Sequence, residues 1–435
     1  MRAILKKPVF LMAVLGLALN MPAQDTLSLS KALENALVNN YGIIISRADL
    51  DIASINNDWG NAGRYPTIGF TASDNLGYGI LNETTTNRAA AGIGVNWTLF
   101  DGFRVNLSKI RLENMEELTS GRLAITIENT VEDIILGYYY VLLQQEQLKV
   151  LKTVMDLSVD RYDYEMKRKS LGGSVTYNVL QAQNVYLTDK ANYMSMEVSL
   201  RNSVRNLNYM MGIEPRTTWI FDEVFEADTV RYDVLDLLDK MKSENQTLKN
   251  QYINLMLQEN ETALRQADYA PSIALGAGID YSHNWSRSSD NPAQTSQGLS
   301  PYGSVRLSFD IYSAGVRRRA VEIARINEEV AQVEINQMEH ALTNQLLNLY
   351  DDYDVLIALL HVADENLQAA ELNMSISEEK YRTGVINSFN YRDVQLIYLN
   401  AALRRVQAVY NLVDSRTQLT RLTGGFLGMG ASDTE

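Results

Sequence analysis

The chain has 435 residues and a formal net charge of -14, from 39 Lys and Arg against 53 Asp and Glu, and it contains no cysteine. The missing thiol excludes cysteine chemistry, Cys-based zinc sites and a lipid anchor on an N-terminal cysteine. A surface this acidic repels nucleic-acid phosphate and argues against nonspecific DNA or RNA binding.

Residues 1–23 read as a cleavable secretory leader. Arg2, Lys6 and Lys7 precede an apolar run from Val9 to Leu19, and Ala23 stands before polar Gln24 and Asp25. The run is too short to span a bilayer as a helix, and the abrupt polar switch favours export over an N-terminal anchor or buried helix. Losing three cations takes the mature charge to about -17. No later stretch holds 18 apolar residues, so a mature chain that crosses a membrane must do so on strands.

A first unit is expected over residues 24–212. Residues 30–64 form a polar-rich helical stretch that stops at Pro66. The period then changes to two: Ile68, Phe70, Ala72, Leu76, Tyr78 and Ile80 alternate with small or polar residues, and so do Ala91, Ile93, Val95, Trp97 and Leu99. These patterns predict strands over about 66–80 and 89–100, with one apolar and one polar face. A soluble antiparallel sheet over a hydrophobic core gives the same alternation. Residues 104–170 predict one very long helix, with Leu148, Leu151, Met155, Val159, Tyr162 and Met166 at spacings of three and four. At about 1.5 Å per residue it reaches roughly 100 Å, a length that requires a coiled coil or packed array. Gly172 and Gly173 turn the chain into a returning helix that ends near Gly212.

Residues 213–232, with Trp219, Ile220, Phe221, Val224 and Phe225, break helical spacing and form a linker. The second unit, 233–424, repeats the first: a helical stretch over 233–268 to Pro271, strands over about 271–285 and 301–312, a long helix over 316–381, and a glycine turn at Gly384. Residues 425–435 are a short tail.

The repetition is quantitative. Tyr138, Gly172, Gln183, Tyr186, Leu207 and Gly212 match Tyr350, Gly384, Gln395, Tyr398, Leu419 and Gly424 at one constant offset of 212. Both long arms, Phe100 to Gly172 and Tyr312 to Gly384, span 72 residues, so two equal arms end at one level. Four strands cannot close a barrel around a pore, and open edges are not tolerated in lipid. Copies of the chain must complete the wall, and three copies supply twelve strands.

The order helix, strand pair opening at a proline, Leu99-Phe100-Asp101-Gly102-Phe103-Arg104, long helix, glycine turn and returning helix resembles half of a TolC-type outer membrane efflux protein. Tyr381-Arg382-Thr383-Gly384, followed by Ser388, Asp393 and Gln395, resembles that family's helix-tip motif. The resemblance covers essentially the whole mature chain. It implies an α+β membrane protein: a long α-helical, coiled-coil-like barrel continuous with a transmembrane β-barrel, four strands per protomer, completed by a homotrimer. It also implies an outer-membrane location extending into the periplasm, with residues 213–232 as an equatorial belt. The implied function is export of drugs, other small molecules or secreted polypeptides, with a periplasmic adaptor (membrane fusion protein) and an inner-membrane pump as partners and no cofactor.

The resemblance places a periplasmic aperture at the second tip. Its paired acidic positions fall on Asn390 and Asp393, so one acidic ring is kept and the other is neutral. Three copies of Asp393 around a threefold axis would favour cations and raise one another's pKa; alone, Asp393 reads as a solvated helix carboxylate. Tyr381 and Arg382 fall where the family holds its tip shut, and Arg382 fits equally as a cap on the helix C-terminus. Gly172, Gly173 and Gly384 are expected to allow left-handed turns and to face the adaptor. Arg317, Arg318 and Arg319, with Trp97 and Trp285, are expected at the membrane–water boundary beside outer-membrane lipid.

Two other classes fit less. His283, His340 and His361 are scattered, no catalytic elbow or metal-spaced histidine pair occurs, and Gly276-Ala277-Gly278 lies in a strand pattern, so an enzyme is not expected. An exported coiled-coil scaffold explains the helices and leaves the four amphipathic strands without a purpose.

Overall fold

The computed structural model describes residues 25–81, 83–221, 223–288 and 292–426. The leader, residues 1–23, and most of the tail lie outside them. In chain order the elements are α1 (Leu29–Asn39), α2 (Tyr41–Asn56), β1 (Thr67–Gly79), β2 (Thr84–Phe100), α3 (Arg104–Ser170), α4 (Thr176–Met210), α5 (Val234–Glu244), α6 (Gln246–Ala267), β3 (Ser272–Arg287), β4 (Gln294–Ser308), α7 (Val316–Arg382) and α8 (Ser388–Leu422). The two long helices are 67 residues each and the two returning helices 35 each. No described helix is long and apolar enough to cross a membrane.

Two differences from the expected elements have local causes. The helical stretches before each strand pair are each broken at one asparagine. Asn40 accepts a hydrogen bond from the Ile43 N–H, and Asn245 accepts one from the Leu248 N–H at 2.9 Å, so each caps a new helix. After α2, residues 57–64 turn instead of continuing as helix, closed by the Arg64 N–H on the Trp59 carbonyl at 2.9 Å. The strand limits differ too. β2 starts at Thr84 and β4 at Gln294, because the hydrogen-bond ladder continues through polar residues that carry no alternation. β4 stops at Ser308, whose partner Ser272 opens β3 directly after Pro271, a residue with no N–H to donate.

The chain divides into two compact units. One comprises Ile44–Thr126 and Leu238–Gln345 and contains the sheet; the other comprises Met1–Ile43, Ile127–Leu237 and Leu346–Glu435. The sheet is antiparallel in the order β1-β2-β3-β4, so β1 and β4 are its edges. Neither face carries a core. Phe70 on the apolar side of β1 is 70% exposed, Val305 on β4 is 72% exposed, and every β4 residue is exposed. A soluble sheet over a hydrophobic core would bury one face, and this sheet buries none.

In the other unit the duplication extends to individual hydrogen bonds. Tyr138 on α3 donates to the Leu27 carbonyl at 3.0 Å, and its repeat counterpart Tyr350 on α7 donates to the Tyr232 carbonyl at 3.4 Å. The linker after α4 forms no helix. It is anchored by the completely buried Asn208, which accepts from Trp219 Nε1 at 2.7 Å and donates to the Thr217 carbonyl at 2.8 Å, and Ile220 bridges in parallel to Thr26.

Candidate functional site

The helix tips belong to the second unit described. α3 and α7 both end in the same left-handed turn. Gly172 (φ +77°) donates to the Lys169 carbonyl and Gly173 to the Arg168 carbonyl at 2.8 Å; Gly384 (φ +79°) donates to Tyr381 and Val385 to Lys380 at 2.8 Å. Nothing lies within 4 Å of a Cβ added at Gly172 or Gly384, so backbone conformation alone requires glycine there. Gly173 corrects the expectation of three left-handed glycines. Its φ is not positive, and its part is played by its N–H, which closes the outer bond of the turn.

The two returning helices start differently. Asn387 caps α8, accepting from the Phe389 N–H at 3.0 Å and the Asn390 N–H at 2.9 Å, whereas the equivalent Val175 gives α4 no side-chain cap. Asn387→Ala is expected to remove about 1 kcal/mol, visible as faster amide exchange in the first turn of α8 and unchanged exchange in α4.

Between the hairpins lies a buried polar cluster. The Tyr381 hydroxyl donates to Glu165 Oε1 at 2.8 Å, Ser174 Oγ donates to Glu165 Oε2 at 2.5 Å, and Glu165 is 1% exposed. Tyr381 stacks on Tyr391 at 4.8 Å between centroids and meets Tyr164 edge-on at 5.3 Å. Burial, and then the bond to Glu165, pushes the Tyr381 phenol well above the usual tyrosine range. Next to Tyr391 in sequence, Arg392 on α8 grips Asp189 on α4 with two bonds of 2.9 Å. Arg161 is 3% exposed, and its Nε and Nη1 find no hydrogen-bond partner. Burial lowers its pKa, opposed by Tyr381 and by the nearby carboxylates of Glu165 and Asp189.

Of the residues expected to matter, Tyr381 is inside this cluster. Arg382 lies outside it, paired with Glu378 at 2.6 Å one turn back on α7, so its guanidinium does not cap the helix end. Asn390 and Asp393 are exposed on the first two turns of α8. Glu165, Arg161, Asp189 and Arg392 escaped the sequence reading. Their repeat counterparts are Ser377, Asn373, Ala401 and Leu180, and a charge present in only one copy is the signal that marks them.

In the sheet-bearing unit, Arg317 is tied to the backbone. It donates to the carbonyls of Asp268, at 3.0 Å, and Asp310, and lies over the Tyr269 ring. Arg319 reaches the Ala314 carbonyl at 3.2 Å, while Arg318 is exposed. Two of the three arginines thus serve backbone carbonyls, those of Asp310 and Ala314 in the connection from β4 to α7 and that of Asp268 at the end of α6. Trp97 donates to the Arg64 carbonyl at 2.9 Å and pairs across the sheet with Leu275, while Trp285 lies near the other end of β3. Both are on the apolar face.

The outer membrane efflux protein family matches residues 32–213 and 237–425, leaving out the linker. Among solved structures the chain is similar to the channel CusC, with a TM-score of 0.76 and 15% identity over 91% of this chain and 92% of that one. It is also similar to the Campylobacter jejuni outer membrane channel CmeC, at 0.73 and 13% over 91% and 85%. The outer membrane protein VceC of Vibrio cholerae aligns at 0.72 and 14% over 91% and 96%. At these identities the likeness speaks for the fold. No curated protein matches the chain.

Proposed function

The chain belongs to the outer membrane efflux protein family, and from that premise we propose that three copies build one tunnel, which takes cargo from an inner-membrane pump through a periplasmic adaptor and releases it outside the cell. The family is one of outer-membrane channels, not of enzymes. The observation that carries the trimer is the uncovered sheet. Its apolar face needs lipid and its edges β1 and β4 need strands, and twelve strands from three copies meet both needs. The aromatic spacing supports the same reading: Trp285 lies ten residues along β3 from the Trp97 partner Leu275. That is about 34 Å of strand, which a tilt of about 45° converts to roughly 25 Å, the height of a lipid-facing band. The cargo is drugs, other small molecules or secreted polypeptides, because a wide wet bore makes few selective contacts and leaves the choice to the pump.

The equatorial linker, the paired repeats and the cleaved leader are part of this proposal, and the exposed tips with Gly172, Gly173 and Gly384 are its adaptor-facing end. At the aperture, three Asp393 carboxylates form the acidic ring, with Asn390 a neutral position beside it. Asp393→Ala is expected to raise single-channel conductance in planar bilayers and to weaken divalent-cation block. Unchanged conductance and block would remove Asp393 from the aperture. An envelope scaffold would give no conductance at all.

A further inference from the structure

We propose that a basic groove on the equatorial linker binds a short acidic peptide segment of a periplasmic partner, a proposal that rests on the chain's periplasm-extending placement. The groove runs between α4 and residues 215–221, has a volume of about 340 Å³ and is open to solvent. Arg201 and Arg205 stand on one wall, one helical turn apart, Arg216 stands on the other, and Trp219 and Phe221 form its apolar part. No carboxylate lines it, and among the described residues none of the three arginines has a carboxylate within 4 Å. Lys31 adds a fourth cation over the Trp219 ring, 5.7 Å from its centroid. Four cations with no carboxylate within 4 Å among the described residues, in a protein of net charge -14, make a site complementary to an anion.

The groove is also preformed. Asn208, fully buried, holds the Thr217 carbonyl and the Trp219 indole, so the wall carrying Arg216 costs little to order on binding. The cations are not part of the repeated tunnel architecture. The counterparts of Arg201 and Arg205 in the second copy are Val413 and Thr417, both buried. Duplication accounts for the helix and leaves the arginines unexplained.

The chemistry favours carboxylates on a short segment. Guanidinium forks pair with carboxylates two bonds at a time, and the half-buried rings offer their open faces to an aromatic or aliphatic side chain. A long polyanion would be repelled by the acidic surface beyond the groove, whereas a short segment meets only the groove.

The test is fluorescence anisotropy of a labelled hexapeptide of four glutamates and two tyrosines, titrated with the full-length assembly in detergent. Binding is expected, weakening as salt rises from about 0.05 to 0.3 M, and falling at least about tenfold in Arg201→Glu and in Arg216→Glu. Arg201→Lys keeps the charge without the fork and is expected to bind several-fold more weakly than the parent and more tightly than Arg201→Glu. Absent binding, binding that ignores these substitutions, equal binding of a glutamine–tyrosine peptide, or tighter binding of polyphosphate or purified cell-wall polymer would each overturn the proposal. Bilayer conductance of the same preparation separates the two readings. A conducting channel that ignores the peptide ends this proposal alone, and peptide binding without conductance ends the channel reading alone.

Discussion

Asp189→Ala is expected to cost about 3–5 kcal/mol of stability, more than its partner change Arg392→Ala. Asp189 is nearly fully buried, and Arg392 holds it with two bonds of 2.9 Å across the two returning helices. Removing the carboxylate leaves Arg392 unpaired beside Arg161, already a buried guanidinium with two unpartnered nitrogens. Like charges then face each other in a site short of water. Removing Arg392 instead leaves Asp189 within the field of Arg161, which can take over as its counter-ion. The two single variants should therefore differ in chemical denaturation in detergent, and equal losses would show that Arg161 does not engage. Asp189→Leu with Arg392→Met should recover most of the loss, since a buried ion pair replaced by apolar groups is often neutral or stabilising.

Tyr381→Phe is expected to loosen the tip and to raise the resting conductance. The hydroxyl bonds a buried carboxylate that belongs to the other hairpin, a type of hydrogen bond contributing about 1.5–3 kcal/mol. The phenylalanine ring keeps the stack on Tyr391, so the change isolates the hydroxyl. The same group gives the tip an alkaline limit. Its folded pKa lies above the unfolded value near 10, so the folded chain holds this proton more tightly than the unfolded one. The stability from Tyr381 is complete below about pH 10 and is lost as pH rises through the folded pKa. Tyr353 and Tyr410, each pushed up to about 12 mainly by burial, add to the same loss. Between about pH 10 and 12 the parent should lose more stability than Tyr381→Phe. Identical pH profiles would show that Tyr381 titrates as an ordinary surface phenol.

How far the sequence predicted this structure differs from element to element. The long helices were legible because a constant offset of 212 aligned their ends, and a helix of 67 residues without proline has few alternatives. Strand ends were less so. Thr84–Arg88 and Gln294–Ser300 extend the ladder through backbone hydrogen bonds, which leave no trace in side-chain alternation. Asn40 and Asn245 break their helices through a single side-chain bond each, a signal that reads in sequence as one more polar surface residue. At the tip, Tyr381 was visible through the family motif. Glu165, Asp189 and Arg392 were not, because a charged residue on a polar helix face looks solvated until a second helix covers it. Arg317 carries a further signal that sequence does not show: it is bound to the carbonyls of Asp268, at the end of α6, and Asp310, just past β4.

The central claim is that three chains close one barrel, and native mass spectrometry of the mature protein released from mild detergent tests it most directly. The account predicts a species of three chains as the smallest stable particle, since a single copy leaves both sheet edges, β1 and β4, unpaired. A monodisperse, folded single chain in the same detergent would contradict it.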